Sequence, residues 1–236
     1  MSGALPSYYN KRSLMRQTFP VVRAFLFDLD GTLIDSKLDL VTSVNAMLRQ
    51  MGRAELPTDL VATYIGHGAP QLIASALGPE ATDDQRRTGL SLFLAHYQVH
   101  KLDATQSYPG VVEALDSLSG FPMSVLTNKP TDMSVDILQG LGLAKCFRSI
   151  YGGDSLEKKK PDPTGALKIL GEFGVSPAHA ALVGDSEVDV QTARNAGTLA
   201  VTVNYGFGVH DRAAHPADLY LDSLTDLAGL THNRRP

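Results

Sequence analysis

Two aspartates separated by one residue, Asp28 and Asp30, stand in the segment DLDGTLIDS (28–36), directly after the apolar run AFLF and before Gly31. A short apolar run has the profile of a buried strand, so the pair falls at a strand terminus, and the glycine permits a sharp turn behind it. Both carboxylates can then face one pocket. A carboxylate attacks phosphorus usefully only when the negative phosphoryl oxygens are neutralised, normally by a divalent cation and a fixed cationic side chain. The sequence has candidates for both. Lys160 lies in KKKPDP, where Pro161 and Pro163 stiffen the backbone; its neighbours Lys158 and Lys159 are read as solvated. GDSEVD (184–189) puts Asp185 at another strand end and Asp189 four residues later, a set of hard oxygens suited to Mg2+, with Asp185 the nearer ligand. Thr127 and Asn128 close the strand-like VLTN and offer a hydroxyl, an amide and backbone donors to phosphate oxygens.

The elements that must position these residues follow from periodicity. Apolar runs recur at RAFLFD (23–28), PMSVLT (122–127), SIYG (149–152), HAALVGD (179–185) and LAVTVN (199–204). Between them lie helical spacings: Val111, Leu115, Leu118; Met133, Ile137, Leu141; Leu167, Leu170, Phe173; and Val188 with Ala193 and Ala196. Alternation of strand and helix predicts an α/β fold, a doubly wound parallel sheet with a Rossmann-like core, and such sheets bind ligands at the carboxyl ends of their strands. Asp28, Thr127 and Asp185 all fall at such ends.

From Lys37 to Thr105 no strand-like run appears, while Leu40, Val44, Met47, Met51 and later Leu90, Phe93, Leu94, Tyr97 keep helical spacing. The expected organisation is an N-terminal extension over 1–20, an α/β core made of 21–36 and 106–231, and an all-helical cap over 37–105. Interrupting the core just after the first aspartate loop, the insert belongs above the strand ends. Its turn IGHGAP (65–70), with Gly66, His67 and Gly68, separates two helices and is the candidate substrate-selecting loop.

A net charge of -4 supplies no broad basic field for a nucleic-acid backbone, so no nucleic acid is expected as a partner. No apolar run approaches the ~20 residues that span a bilayer, and the first twenty residues have no apolar signal core, so neither membrane anchoring nor export is expected. Cys146, the single cysteine, excludes an internal disulfide and fits a reducing compartment; a cytoplasmic monomer or homodimer is expected.

With its motifs in this order, the chain resembles the haloacid dehalogenase superfamily, phosphatase branch, over roughly residues 21 to 231. The resemblance implies that Asp28 is the nucleophile, forming an aspartyl phosphate, and that Asp30 protonates the leaving oxygen and then deprotonates the attacking water. It makes Thr127 and Lys160 phosphate binders. It places Mg2+ on the Asp28 carboxylate, the Asp30 backbone carbonyl and Asp185, with Asp189 supporting directly or through water. The phrases YIGHGAPQLIASAL, VLTNKP, YGGDSLEKKKPDP and GDSEVDVQTARNAG resemble the phosphoglycolate phosphatases, which implies 2-phosphoglycolate as the small phosphorylated metabolite. Relatives with these phrases act on sugar phosphates, amino-sugar phosphates or pyrophosphate, so the reaction class is better fixed than the substrate.

Blander readings stand beside these. A lone DxD is often a solvated turn, and it is the ordered company of Thr127, Lys160 and Asp185 that argues against this here. Asp189 has a second reading as a helix-capping carboxylate, Asn128 as a turn former, and His67 as an exposed loop histidine. His96, His100, His179, His210, His215 and His232 show no metal spacing with an acidic partner on one helix, and Cys146 reads as packing. NYGFGV (204–209) and GHG (66–68) do not complete a GxGxxG and are read as loops, and Leu221, Leu224, Leu227 and Leu230 suggest a short terminal helix. Two rival functions share the scaffold. A phosphosugar mutase would return the phosphate to an intermediate instead of to water. A non-catalytic phospho-receiver would need neither Asp30 nor a covering insert.

Overall fold

The structure is a computed structural model that describes residues 21–208 and 210–231. The N-terminal extension, His232 and the last residue of NYGFGV lie outside the described residues. β1 (Ala24–Phe27) is followed by the two-residue β2 (Ile34–Asp35) and four helices: α1 (Lys37–Gln50), α2 (Thr58–Ala62), α3 (Ala69–Leu77) and α4 (Asp83–His100). β3 (Gln106–Ser107) then leads into α5 (Val111–Ser117), β4 (Met123–Leu126), α6 (Thr131–Gly140), β5 (Ser149–Tyr151) and α7 (Thr164–Phe173). The chain closes with β6 (Ala180–Gly184), α8 (Glu187–Ala196), β7 (Leu199–Val203) and β8 (Leu219–Leu221), then a 3-10 helix over Leu224–Leu230. No helix among the described residues is long and apolar enough to cross a membrane.

Six strands form one sheet in the order β5-β4-β1-β6-β7-β8, all parallel, so the doubly wound expectation holds. β1 is central: Phe27 pairs with Val125 on one side and Val183 on the other. Alternation along the strands feeds two cores. Phe25, Phe27, Val125, Val183 and Val201 face one layer with Val111, Leu115 and Ile137, while Ala24, Leu26, Leu182 and Ala200 face Ala166, Ile169, Val190 and Ala193. Side chains such as Phe25, Phe27 and Leu26 are wholly buried, each worth ~1.5–3 kcal/mol of apolar transfer.

Two expectations are corrected. Leu221 belongs to β8 and not to the terminal helix, which is 3-10 and begins at Leu224. The spacing of three fitted a helix because 3-10 geometry repeats every three residues, and β8 was absorbed into it. On α7, Leu167 is exposed while Ile169 and Leu170 are buried, so the inward stripe starts at Gly165. Gly165 and Ala166 open that face ahead of Ile169 and Leu170, and a count of large apolar residues passes over the first two.

β2 and β3 form an antiparallel ribbon, Ile34 opposite Ser107 and Asp35 opposite Gln106, so the chain leaves for the four helices and returns side by side. Just above it, the buried carboxylate of Asp39 accepts hydrogen bonds from the amides of Ala104 (3.0 Å) and Thr105 (2.8 Å) and from the Thr105 hydroxyl (2.7 Å). Within the helical segment Leu40, Val44, Met47, Leu72, Ile73, Phe93 and Tyr97 are buried, the last two rings stacked at 5.5 Å.

Candidate active site

Asp28 follows β1 directly, and its amide still donates to Val183 O at 2.9 Å, so the sheet fixes its backbone. Leu29 O then accepts the amides of Thr32, Leu33 and Ile34, and Gly31 takes the left-handed conformation at φ 82°, the tight turn that the glycine forecast. Thr127 is set the same way beyond β4, its amide donating to Tyr151 O at 2.9 Å. The Thr127 hydroxyl accepts from the Lys129 amide, which aims its own proton elsewhere.

Asp28, Asp185 and Asp189, all buried, bring one carboxylate oxygen each within 4.8 Å of one another. Lys160, 4% exposed, lies among them, with Nζ 2.6 Å from Asp189 Oδ1 and 2.8 Å from Asp28 Oδ1. Beyond this ion pair no hydrogen-bond donor reaches Asp28 Oδ1. Three carboxylates against one lysine leave negative charge unbalanced. Burial pushes Asp28 up to about 6, against the pull of Lys160 and with the push of Asp189. Burial also drives Asp185 well above the carboxylate range, reinforced by Asp189 and Asp28. Lys160 goes the other way: burial alone would lower it, but Asp189 and Asp28 together raise it. The three buried carboxylates, with more negative charge than Lys160 balances, fit a hard divalent cation.

Each acid is held differently. Asp189 closes a capping box on α8: Oδ2 accepts from the Ser186 amide (3.1 Å) and hydroxyl (2.6 Å), leaving Oδ1 to Lys160. It is therefore the helix cap of the blander reading and at the same time Lys160's main partner. Asp185 Oδ2 accepts from the amides of Phe207 (3.0 Å) and Gly208 (2.6 Å). The space around it exists because three neighbours lack a side chain. A Cβ on Gly31 would stand 2.0 Å from Asp185 Oδ2, one on Gly206 2.3 Å from Asp185 Cβ, and one on Gly208 2.9 Å from Asp185 Oδ2. The NYGFGV loop is thus part of the site, although no nucleotide pattern marked it.

The side chain of Asp30 stands apart from this cluster. It accepts from Ser36 Oγ at 2.5 Å and, through both oxygens, from Lys129 Nζ at 3.0 Å. Lys129 in turn donates to the Tyr97 hydroxyl of α4 at 2.7 Å and lies 4.5 Å from that ring's centre. Burial pushes the Tyr97 phenol up to about 12, so the lysine faces a neutral hydroxyl. Lys129, Tyr97 and Ser36 went unassigned in the sequence, although Lys129 sits within VLTNKP; a lysine between a strand end and a proline, beside a candidate phosphate contact, was the available signal.

A cavity opens over Asp28 and Asp30 between the strand ends and the helices above. Gly66 and Gly68 line it, with Ile65, Leu72, Phe93, Leu94 and Tyr97 from the helical segment and Thr127, Asn128 and Lys129 from below. His67 does not: its side chain is exposed, and its carbonyl accepts from Lys159 Nζ at 2.7 Å, so Lys159 is not merely solvated. Asn128 Nδ2 donates to Gly66 O (3.0 Å) and Lys160 O (3.1 Å), and these two carbonyls fix the amide's orientation. That leaves Oδ1, an acceptor, toward any phosphate, so this side chain ties the GHG turn to the lysine loop instead of donating to an anion. Among the histidines, His96 and His100 are four apart on α4 and stack at 4.2 Å, but His96 bonds to Ser43 and His100 to Asp103, and they form no ligand cluster. Cys146 is half-buried against the core, as packing requires, and burial pushes its thiol up.

Comparison with known proteins agrees with this arrangement. The model of the family described as haloacid dehalogenase-like hydrolase matches residues 25–203. The phosphoglycolate phosphatase of Nitrosospira multiformis is 38% identical over 196 residues, covering 80% of this chain and 86% of that protein. The phosphoglycolate phosphatase of Chromobacterium violaceum is 36% identical over 218 residues, covering 90% and 97%. A crystal structure described as a predicted phosphoglycolate phosphatase from Haemophilus somnus superposes with a TM-score of 0.84 at 32% identity, covering 89% of this chain and 98% of that one. The buried acidic cluster at the strand ends, the parallel sheet that presents it and these matches together establish that the chain belongs to the haloacid dehalogenase-like hydrolase family.

Proposed function

We propose that this chain is a Mg2+-dependent phosphatase that hydrolyses 2-phosphoglycolate through an aspartyl phosphate on Asp28. The observation that carries the reading is Asp28 Oδ1, buried beside the other two carboxylates and met by no donor other than Lys160, beneath a cavity whose wall includes Asp30. The phosphoglycolate phosphatase relatives support the choice of ester.

In this reading residues 37–105 form the cap over a core of 21–36 and 106–231. Asp28 attacks phosphorus while the bond to the ester oxygen breaks, and Asp30 gives that oxygen its proton. Water then attacks the same phosphorus as Asp30 takes its proton, the Asp28–phosphoryl bond breaks, and inorganic phosphate leaves. Lys160 neutralises charge at Asp28 throughout, and the Thr127 hydroxyl donates to a phosphoryl oxygen. Asp28 and Asp185, with Asp189 behind them, would hold Mg2+, which supplies positive charge against the phosphoryl oxygens. Ser36 and Lys129 keep Asp30 in place between the two proton transfers. Leu72, Phe93 and Tyr97 cover the reaction from solvent.

The test is phosphate release with Mg2+ from 2-phosphoglycolate, sugar phosphates and pyrophosphate, with Asp28→Asn as the control. Preference for 2-phosphoglycolate, with turnover abolished in Asp28→Asn, is expected. Full activity in Asp28→Asn would overturn the mechanism; preference for another ester would keep it and move the substrate; conversion of a sugar phosphate to its isomer without phosphate release would identify a mutase.

A further inference from the structure

The cavity above Asp28 and Asp30 is walled on the helical side by Leu40, Ile65, Leu72, Phe93 and Leu94, and Met133 adds to it from below. None of these six side chains can hydrogen-bond to a ligand, so recognition falls to the polar part of the lining, Asp28, Asp30, Tyr97, Thr127, Asn128 and Lys129. Among the described residues that line the cavity, Lys129 is the one cation. Lys160, the other buried lysine of the site, is absent from the lining and committed to Asp28 and Asp189.

Lys129 is also well aimed. It is 6% exposed, and the Tyr97 hydroxyl from the helical segment holds Nζ from above at 2.7 Å. An ammonium has three donors, and here two go to the same Asp30 carboxylate, at 3.0 Å each. One of those two can pass to an incoming anion while the other keeps Asp30 in place. The position of Lys129 also sets a length. Asp30 must reach the ester oxygen within one hydrogen bond, and Lys129 is one hydrogen bond beyond Asp30, so the ammonium stands no more than about 6 Å from that oxygen.

We infer that Lys129, positioned by Tyr97, is the specificity-determining residue of this site, and that it receives a carboxylate carried one carbon away from the ester oxygen. The feature of the substrate that Lys129 reads is therefore the carboxylate of a short phosphorylated hydroxy acid. The inference rests on the phosphatase reading of Asp28 and deepens it.

The experiment compares kcat/KM for 2-phosphoglycolate with kcat/KM for its neutral amide, 2-phosphoglycolamide, in the Mg2+-loaded wild type and in Lys129→Gln. Because Lys129 also holds Asp30, the substitution will slow both esters; dividing the two values within each protein cancels that shared loss. The acid-to-amide ratio is expected to be roughly 10- to 100-fold in wild type, the worth of a hydrogen bond to a charged partner, and near unity in Lys129→Gln. Tyr97→Phe keeps the lysine but removes the hydroxyl that aims it, and it should lower the ratio several-fold; it takes the place of Lys129→Gln if that variant fails to fold or turn over. A wild-type ratio near unity, or a ratio unchanged by these substitutions, overturns the inference. Failure of the underlying reading looks different: the wild type would release phosphate from neither ester.

Discussion

Replacing Asp39 tests how the helical segment is fastened to the sheet. The carboxylate is 4% exposed and has three donors around it: the Thr105 amide at 2.8 Å, the Thr105 hydroxyl at 2.7 Å and the Ala104 amide at 3.0 Å. In Asp39→Ala all three lose their acceptor. Ala104 is exposed and its amide can turn to water, whereas Thr105 is 6% exposed and its amide cannot. Two hydrogen bonds to a charged acceptor are lost at Thr105, at ~1.5–3 kcal/mol each, offset by reorientation of the hydroxyl and by the ~0.5 kcal/mol better helix propensity of alanine. The expected loss is about 3 kcal/mol. Asp39→Asn keeps one acceptor oxygen for both Thr105 donors and turns its amide nitrogen toward Ala104, where water can intervene, so about 1 kcal/mol is expected. Urea unfolding followed by far-UV circular dichroism, with the slope checked for constancy, measures both. A loss below ~0.5 kcal/mol in Asp39→Ala, or equal losses in the two variants, would refute the reasoning.

Further expectations concern the carboxylate cluster. A carboxyl whose folded pKa is raised stabilises the fold in its protonated form; for Asp28 that contribution is complete below the ordinary 3.8 and is lost as pH rises through about 6. The metal-free protein should therefore weaken by up to about 3 kcal/mol across that window, and Mg2+ should raise the urea midpoint more at about pH 7.5 than at about pH 5; equal increments would count against the excess-charge account. Gly206→Ala brings a Cβ within 2.3 Å of Asp185 Cβ, so it should reduce kcat by on the order of 100-fold while the far-UV spectrum stays native; wild-type kcat would show that Asp185 tolerates displacement. Lys160→Met strands the buried Asp28 and Asp189 without a counter-charge and should cost about 3–5 kcal/mol in the absence of metal, measurable by urea unfolding; an unchanged midpoint would mean the carboxylates are already protonated.

The sheet was legible because a buried parallel strand writes itself as a short apolar run, and all five such runs became strands. Asp28, Lys160, Asp185 and Asp189 could be brought together because strand ends in such a sheet share one edge. What escaped was either too short or too long in range. β2 and β3 have only two residues each, below any periodicity, while β8, as short as β5, was absorbed into the leucine spacing that follows it. Asp39 looked like an ordinary first-turn acid of α1, and nothing local says that its partners lie at 104 and 105. Lys129 escaped because its importance is a matter of Asp30 and Tyr97, which lie 99 and 32 residues before it in the chain. The GHG turn was read as a substrate-selecting loop through Gly66, His67 and Gly68; its two glycines face the cavity, His67 does not, and its carbonyls bind Asn128 and Lys159.

The central place of β1 has a consequence for how the protein is made. The strand that carries Asp28 is translated before either neighbour, β4 at Met123–Leu126 or β6 at Ala180–Gly184. A nascent chain therefore holds the exposed run AFLF, with both edges unpaired, while the ribosome makes the whole helical segment. Those helices can assemble locally in the meantime, but the sheet cannot close until β6 has left the exit tunnel, so the slow, nonlocal step of folding is also the one that completes the site. Until then the run from Ala24 to Phe27 is the stretch most in need of a chaperone's cover, and pausing translation between β4 and β6 should lengthen that exposure.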